Sequence, residues 1–149
     1  MRGYYFEDFT VGKQITTVGR TVSESDILTF AGLTGDHNQL HTDAEFSKKA
    51  QFGQRVAHGL LGLSITSGLA WQTGILEGTV LAFREVSDWK FVKPVFIGDT
   101  IHADLAVTET KALPRLGGGL VTIAFDVKNQ GDETVMRGSW TVLVKHKPA

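Results

Sequence analysis

Residues 59–75 read GLLGLSITSGLAWQTGI, with no charged residue in the run. A helix on a protein surface carries one apolar stripe, whereas this stretch is apolar nearly all round, so it predicts a helix buried on most sides. Seventeen residues would make it about 25 Å long. Four glycines stand in it, Gly59, Gly62, Gly68 and Gly74, and each costs a helix about 1 kcal/mol relative to alanine. That cost is tolerable where another backbone must come close, as when a sheet wraps the helix. The run is too short, and too interrupted by Gly, Ser and Thr, to span a bilayer.

Downstream of this helix the period changes. VLAFREVSDWKFVKPV from residue 80 alternates around a bend expected at Ser87-Asp88. Residues 100–109 place Ile101, Ala103, Leu105 and Val107 on one phase, and 120–127 place Val121, Ile123, Phe125 and Val127 likewise. Strict alternation of this kind marks half-buried strands. A last long strand is expected over 134–144. Turn signals separate these runs at Pro114–Gly119 and Asn129–Asp132. Upstream, Thr21 with Glu24 fits a capping box, with Ser23 as an alternative cap. The helix it opens has an apolar face of Ile27, Leu28, Phe30 and Ala31 and closes near Gly32 or Gly35. A second short helix is expected from Asp43 to Ala50, burying Ala44, Phe46 and Ala50. One long buried helix followed by antiparallel strands is an α+β plan, with the sheet curled around the helix.

The chain of 149 residues suits one domain over 1–149. A net charge of −1 leaves no electrostatic footprint for nucleic acid or an anionic membrane. The absence of cysteine removes disulfides, thiolate catalysis and cysteine-based zinc sites together. MRGYYFEDFTVG at the N-terminus has no apolar core of a signal peptide, and a cytoplasmic location is expected.

One segment follows no period. GDHNQLH, residues 35–41, sets Asp36 five positions before His41 with Asn38 between them. On a helix that spacing puts two side chains about 140° apart, and on a strand it puts them on opposite faces. They converge only along an irregular path, which Gly35 permits at positive φ and Asn38 can hold by bonding its own backbone. Converged, they would form an acid/base pair acting on one water or one C–H bond. The residues alone leave a plainer alternative open, in which Asp36 caps a turn and His41 caps the next helix. Ala57-His58-Gly59 then opens the central helix, where free N–H groups and the helix dipole suit a developing negative oxygen. Gly59 would let a carbonyl oxygen approach its N–H, although close packing explains that glycine equally well.

The stretch FAGLTGDHNQLH, residues 30–41, followed by AHGLLGLSITSGL from residue 57, resembles the MaoC-like dehydratases, the R-specific enoyl-CoA hydratases of the hot-dog fold. The matching residues are Phe30, Thr34, Gly35, Asp36, Asn38, Leu40, His41, His58 and Gly59. FVKPVFIGD at 91–99 resembles a further family motif. One position departs: the family usually has proline where this chain has Gln39.

The resemblance implies reversible syn addition of water to a trans-2-enoyl thioester, giving an (R)-3-hydroxyacyl thioester. Asp36 and His41 would hold the water, Asn38 and His58 would support the loop, and the Gly59 N–H would polarise the thioester carbonyl. Ser67 matches a family serine that faces the substrate from the central helix, though a small packing residue fits there equally well. The resemblance implies no metal and no cofactor beyond the CoA or acyl-carrier-protein thioester itself, and a homodimer or higher homo-oligomer. The spacing of Asp36, His37, His41 and His58 matches no zinc pattern. His37, His102 and His146 read as surface residues, and Arg84, Lys90, Lys93 and Arg115 as a solvated face. Trp71, Trp89 and Trp140 read as core or interface aromatics. A hot-dog thioesterase is the nearest rival, but its carboxylate belongs on or beside the central helix, and residues 60–74 carry no Asp or Glu. A silent acyl-thioester-binding partner subunit is the other alternative.

Overall fold

The computed structural model describes residues 3–149. Met1 and Arg2, the first two residues of the expected domain, lie outside the described residues. In chain order the elements are β1 (Gln14–Thr16), β2 (Arg20–Thr21), α1 (Glu24–Thr34), α2 (Gln39–Thr42), α3 (Ala44–Lys48), α4 (Gly59–Gln72), β3 (Val80–Phe91), β4 (Thr100–Leu113), β5 (Gly118–Lys128) and β6 (Thr134–Lys145). The strands make one antiparallel sheet in the order β1-β4-β5-β6-β3, and β2 pairs with β4 as well.

The expected α+β plan holds. Ile101, Ala103, Leu105 and Val107 of β4 are buried on the same phase as Val121, Ile123, Phe125 and Val127 of β5, and Leu105 pairs with Phe125. These side chains share one core with Leu61, Leu69 and Ala70 of α4 and with Ile27 of α1. Burying a side chain such as Ile or Leu stabilises by about 1.5–3 kcal/mol, so this interleaving holds α4 against the sheet. The bend expected at Ser87-Asp88 is present: Asp88 takes φ 52 and the β3–β6 register shifts between Ser87 and Lys90. Trp89, one residue on, packs so closely on Gly138 that a Cβ there would lie 2.7 Å from the Trp89 backbone.

Several expectations need correction. The central helix ends at Gln72, because Gly74 turns to φ 83. It is not buried on most sides: Leu61, Gly62, Thr66, Leu69 and Ala70 face the core, while Leu60 and Trp71 are 62% and 54% exposed and Ser64 and Ser67 are exposed between them. Two of its glycines do meet close neighbours, Gly59 under the Phe91 ring and Gly62 under Met136, but nothing lies within 4 Å of a Cβ on Gly68. Helix α1 is capped by Ser23 rather than Thr21, with Asp26 completing the box, and it closes at Gly35 with φ 82. The expected helix over 43–50 is α3 alone, preceded by the separate turn α2. Its buried residue is Ser47, whereas Phe46 is exposed, because the Ser47 hydroxyl donates to the carbonyls of Gln39 and Leu40. Each of those carbonyls also accepts a backbone N–H, Asp43 on Gln39 and Val56 on Leu40, so the Ser47 hydroxyl adds a second donor that an apolar side chain would not supply.

Candidate active site

Gly35 ends α1 in a left-handed conformation and reverses the chain, its N–H donating to the Ala31 carbonyl. Asp36 follows with its backbone N–H on the Thr34 hydroxyl, 3.2 Å away. Asn38 then caps α2, its Oδ1 accepting from Leu40 N–H at 3.0 Å. That is the local self-bonding expected of an asparagine in this loop. The Asp36 carboxylate is steadied by the backbone of Asn38, not its side chain, through an N–H contact of 3.3 Å. His41 therefore sits on a helical turn and does not cap the next helix; Asp43 caps α3.

The loop converges as the acid/base reading requires. A carboxylate oxygen of Asp36 and one ring nitrogen each of His41 and His58 lie within 4.8 Å of one another. His41 Nδ1 is 2.7 Å from the Val56 carbonyl oxygen. A carbonyl only accepts, so Nδ1 carries the hydrogen and a neutral His41 keeps its lone pair on Nε2. By the same reasoning His58 Nε2–H donates to the Asp36 carbonyl at 2.9 Å, leaving His58 Nδ1 bare, buried and without a protein partner. The two imidazoles stack, centroids 3.8 Å apart with 27° between planes, and Phe30 packs on His58 at 4.8 Å.

This cluster has the composition of a divalent-metal site. Its geometry does not suit one. A ligating nitrogen binds zinc at about 2.0–2.1 Å in the plane of its own ring, and rings stacked nearly parallel direct their lone pairs side by side rather than toward one point. The arrangement suits a proton relay between a carboxylate and one free imidazole nitrogen.

Helix α4 begins beside this pair. His58 is its N-cap but makes no side-chain capping bond, so the first N–H groups of the helix keep their capacity for an oxygen from outside. His41, Gly59 and Gly62 line a cleft of about 410 Å³ whose apolar walls include Phe52, Phe91, Val95 and Met136. Ser67 is not brought into it: it lies on the exposed stripe of α4 and donates to the Ser64 carbonyl at 2.6 Å. His37 is exposed, Trp140 is buried and Trp71 exposed, as a core and an interface aromatic would be. His146 is held by Glu7.

Arg55 is a residue that sequence reasoning missed. Its Nε donates to the His41 carbonyl at 2.8 Å and its Nη1 reaches Glu24 on α1, also at 2.8 Å, with the Arg55 side chain only 13% exposed. Val56 was missed too, although its carbonyl sets the His41 tautomer. The segment is itself anchored, Ala57 N–H donating to Val95 and Val56 bridging to Phe96. The FVKPVFIGD motif thus has two parts in the site: it anchors Val56 and Ala57 through Phe96 and Val95, and its Phe91 and Val95 wall the cleft.

A sheet curled around one helix defines a hot-dog domain, and here a carboxylate and an imidazole meet at the helix N-terminus. The chain belongs to the MaoC-like dehydratase family: the family model described as MaoC like domain matches residues 8–128. The chain is 36% identical over 105 residues to an (R)-specific enoyl-CoA hydratase of Rhodospirillum rubrum, covering 70% of each. It is 32% identical over 148 residues to a 3-hydroxybutyryl-CoA dehydratase of Methylorubrum extorquens, covering 99% of this chain and 88% of that one. It is also 38% identical over 101 residues to Protein MaoC of Klebsiella aerogenes, spanning 68% of this chain but only 30% of that longer protein. Among solved structures, a monoamine oxidase regulatory protein from Archaeoglobus fulgius superposes with TM-score 0.91 at 42% identity, covering 98% and 97% of the two chains. R-hydratase PhaJ1 from Pseudomonas aeruginosa superposes at 0.80 with 28% identity, covering 97% and 88%. A Mycobacterium tuberculosis protein with a double hot-dog fold, 20% identical, superposes at 0.87 over 99% of this chain and 46% of that one, a likeness of fold alone.

Proposed function

We propose that the protein is an (R)-specific enoyl-thioester hydratase, a hydro-lyase that adds water reversibly across a trans-2-enoyl-CoA. The observation that carries this reading is the convergence of Asp36 and His41: a carboxylate oxygen and a ring nitrogen lie within 4.8 Å of each other, and Val56 takes the Nδ1 hydrogen so that a neutral His41 keeps a lone pair on Nε2. A water held between these groups loses a proton to one of them as its oxygen attacks C3, and a proton is delivered to C2 on the same face. The electron pair released from the double bond moves toward the thioester oxygen, which lies on the Gly59 N–H at the head of α4. One such donor contributes roughly 3–4 kcal/mol in a transition state. The thioester supplies the acidity at C2, so the chemistry calls for neither metal nor cofactor. The names of the (R)-specific hydratase and 3-hydroxybutyryl-CoA dehydratase relatives support the same class.

A homodimer fits the exposed surfaces. Among the described residues, strand β3 pairs only with β6, leaving its other edge free, and Leu81, Phe83 and Val86 of β3 are exposed. An unpaired edge of twelve residues is a template for a second strand, and the apolar stripe of Leu60 and Trp71 on α4 calls for cover as well. No helix among the described residues is long and apolar enough to cross a membrane.

The test is to follow crotonyl-CoA by the absorbance of its conjugated thioester while titrating free thiol. Loss of conjugation without thiol release, abolished in Asp36→Asn and in His41→Ala, is the expected result. Thiol release would make the protein a thioesterase, and no change with enoyl-CoAs of any chain length would make it a binding subunit.

A further inference from the structure

We propose that Arg55 and His58 are a matched pair of positioning residues, each holding one member of the Asp36–His41 pair through that member's own backbone carbonyl. The inference rests on the hydratase reading and goes beyond it to how the pair is aligned. His58 Nε2–H grips the Asp36 carbonyl at 2.9 Å, and Arg55 Nε–H grips the His41 carbonyl at 2.8 Å. Between them in sequence, the Val56 carbonyl takes the His41 Nδ1 hydrogen and the Val56 N–H binds the Leu40 carbonyl. Four bonds thus run from three residues of the segment 55–58 to the catalytic loop, and none of them uses an atom that the reaction needs. The separation of carboxylate and imidazole is therefore set from outside the loop.

His58 does this at a cost that structure alone does not explain. Its Nδ1 is buried with no partner among the described residues, and an unpaired buried polar group is destabilising. A ring placed only for packing would be replaced without penalty by an apolar one. Here the ring must also present Nε2–H to Asp36 while its face supports His41 at 3.8 Å. Arg55 is tied on its far side to Glu24, which fixes the direction from which Nε approaches His41.

The experiment is steady-state kinetics of His58→Gln, His58→Phe and Arg55→Met on crotonyl-CoA, with thermal unfolding alongside. Misplacement of a reacting group by about 1 Å can lower a rate about 100-fold, so His58→Phe should lose about that factor in kcat with KM unchanged. His58→Gln, whose amide N–H reaches as far as Nε2, should recover at least about ten-fold of it. Arg55→Met should also lower kcat while sparing KM. Glutamine no better than phenylalanine, or a loss carried by KM, would overturn the proposal. Long-range 1H–15N correlation of the histidine rings provides a readout independent of turnover. Hydrogen on Nε2 of His58 and on Nδ1 of His41 in the wild type, with the His41 preference weakened in His58→Phe, is expected; the opposite tautomers would overturn it. A wild type that hydrates no enoyl thioester defeats the functional reading instead, and the ring tautomers then decide the positioning claim by themselves.

Discussion

Two Gly-Asp pairs in this chain look alike in sequence and end in different roles. Gly35-Asp36 and Gly98-Asp99 each turn the chain at a glycine of positive φ, 82 and 94. The Asp99 carboxylate is fully engaged: Phe96 N–H binds one oxygen at 2.9 Å and Gln130 Nε2 binds the other at 2.9 Å. Among the described residues, the Asp36 carboxylate accepts only the 3.3 Å contact from Asn38 N–H. A carboxylate with a structural donor on each oxygen has less to offer a water molecule, whereas Asp36 keeps more of its lone pairs free beside an imidazole. On the proposed reading, what separates the aspartate of the site from the turn aspartate is how many donors the fold supplies to each.

The sharpest way to break the comparison is to neutralise each carboxylate in turn. Removing a general acid or base typically lowers turnover 10²–10⁴-fold, so Asp36→Asn should lose roughly that much in kcat with little change in unfolding temperature. Asp99→Asn should do the reverse, leaving kcat near wild type and lowering stability by about 1–3 kcal/mol in chemical denaturation, as a turn bond is weakened. If Asp99→Asn removed activity without touching stability, the distinction would collapse.

Asp26 extends the comparison to a carboxylate engaged by an ion pair. Arg20 binds both of its oxygens at 2.8 Å and Ser23 N–H adds a third bond. The guanidinium hydrogen bonds first, with the cap bonds behind them, hold the Asp26 carboxyl well below the usual carboxylate range. A carboxyl lowered on folding contributes stability that is present above its unfolded value of about 3.9 and is lost as pH falls through its folded value. Wild type should therefore lose stability below about pH 4, and Asp26→Asn should flatten that acid limb in urea titrations at successive pH values. An unchanged acid limb would show that the pair is too exposed to matter.

The smallest effect concerns the loop's departure from its family. Gln39 is the first residue of α2, where proline is favoured because that N–H has no helical partner. Asn38 before it already has ψ 133, the extended value that a following proline demands. Gln39→Pro should raise stability by about 0.4–1 kcal/mol through the unfolded chain and leave kcat unchanged. A loss of activity would mean that the loop follows a different path in turnover.

Much of this was legible before the coordinates. Asp36, Asn38, His41 and Gly59 stood out because a loop that obeys no period still needs those residue types, and alternation in β4 and β5 named their buried faces. Arg55 and Val56 were not legible, since a side chain that acts on a carbonyl, and a carbonyl that sets a tautomer, leave no residue pattern. The two short strands β1 and β2 are too brief to show a period. The exposed stripe of α4 was misread for a different reason: apolarity alone does not say which face of a helix meets the core, and Leu60 and Trp71 stay more than half exposed. Ser47 was missed because a serine buried to satisfy carbonyls looks like a surface serine in the sequence.

The measurement that bears most directly on the central claim is hydration of crotonyl-CoA in ²H₂O, with the product's configuration read at both carbons. Water activated between Asp36 and His41 above one face of the substrate predicts a single diastereomer, (R) at C3, with deuterium and hydroxyl added to the same face and no free thiol. An (S) product, addition to opposite faces, or a released thiol with the double bond intact would contradict it.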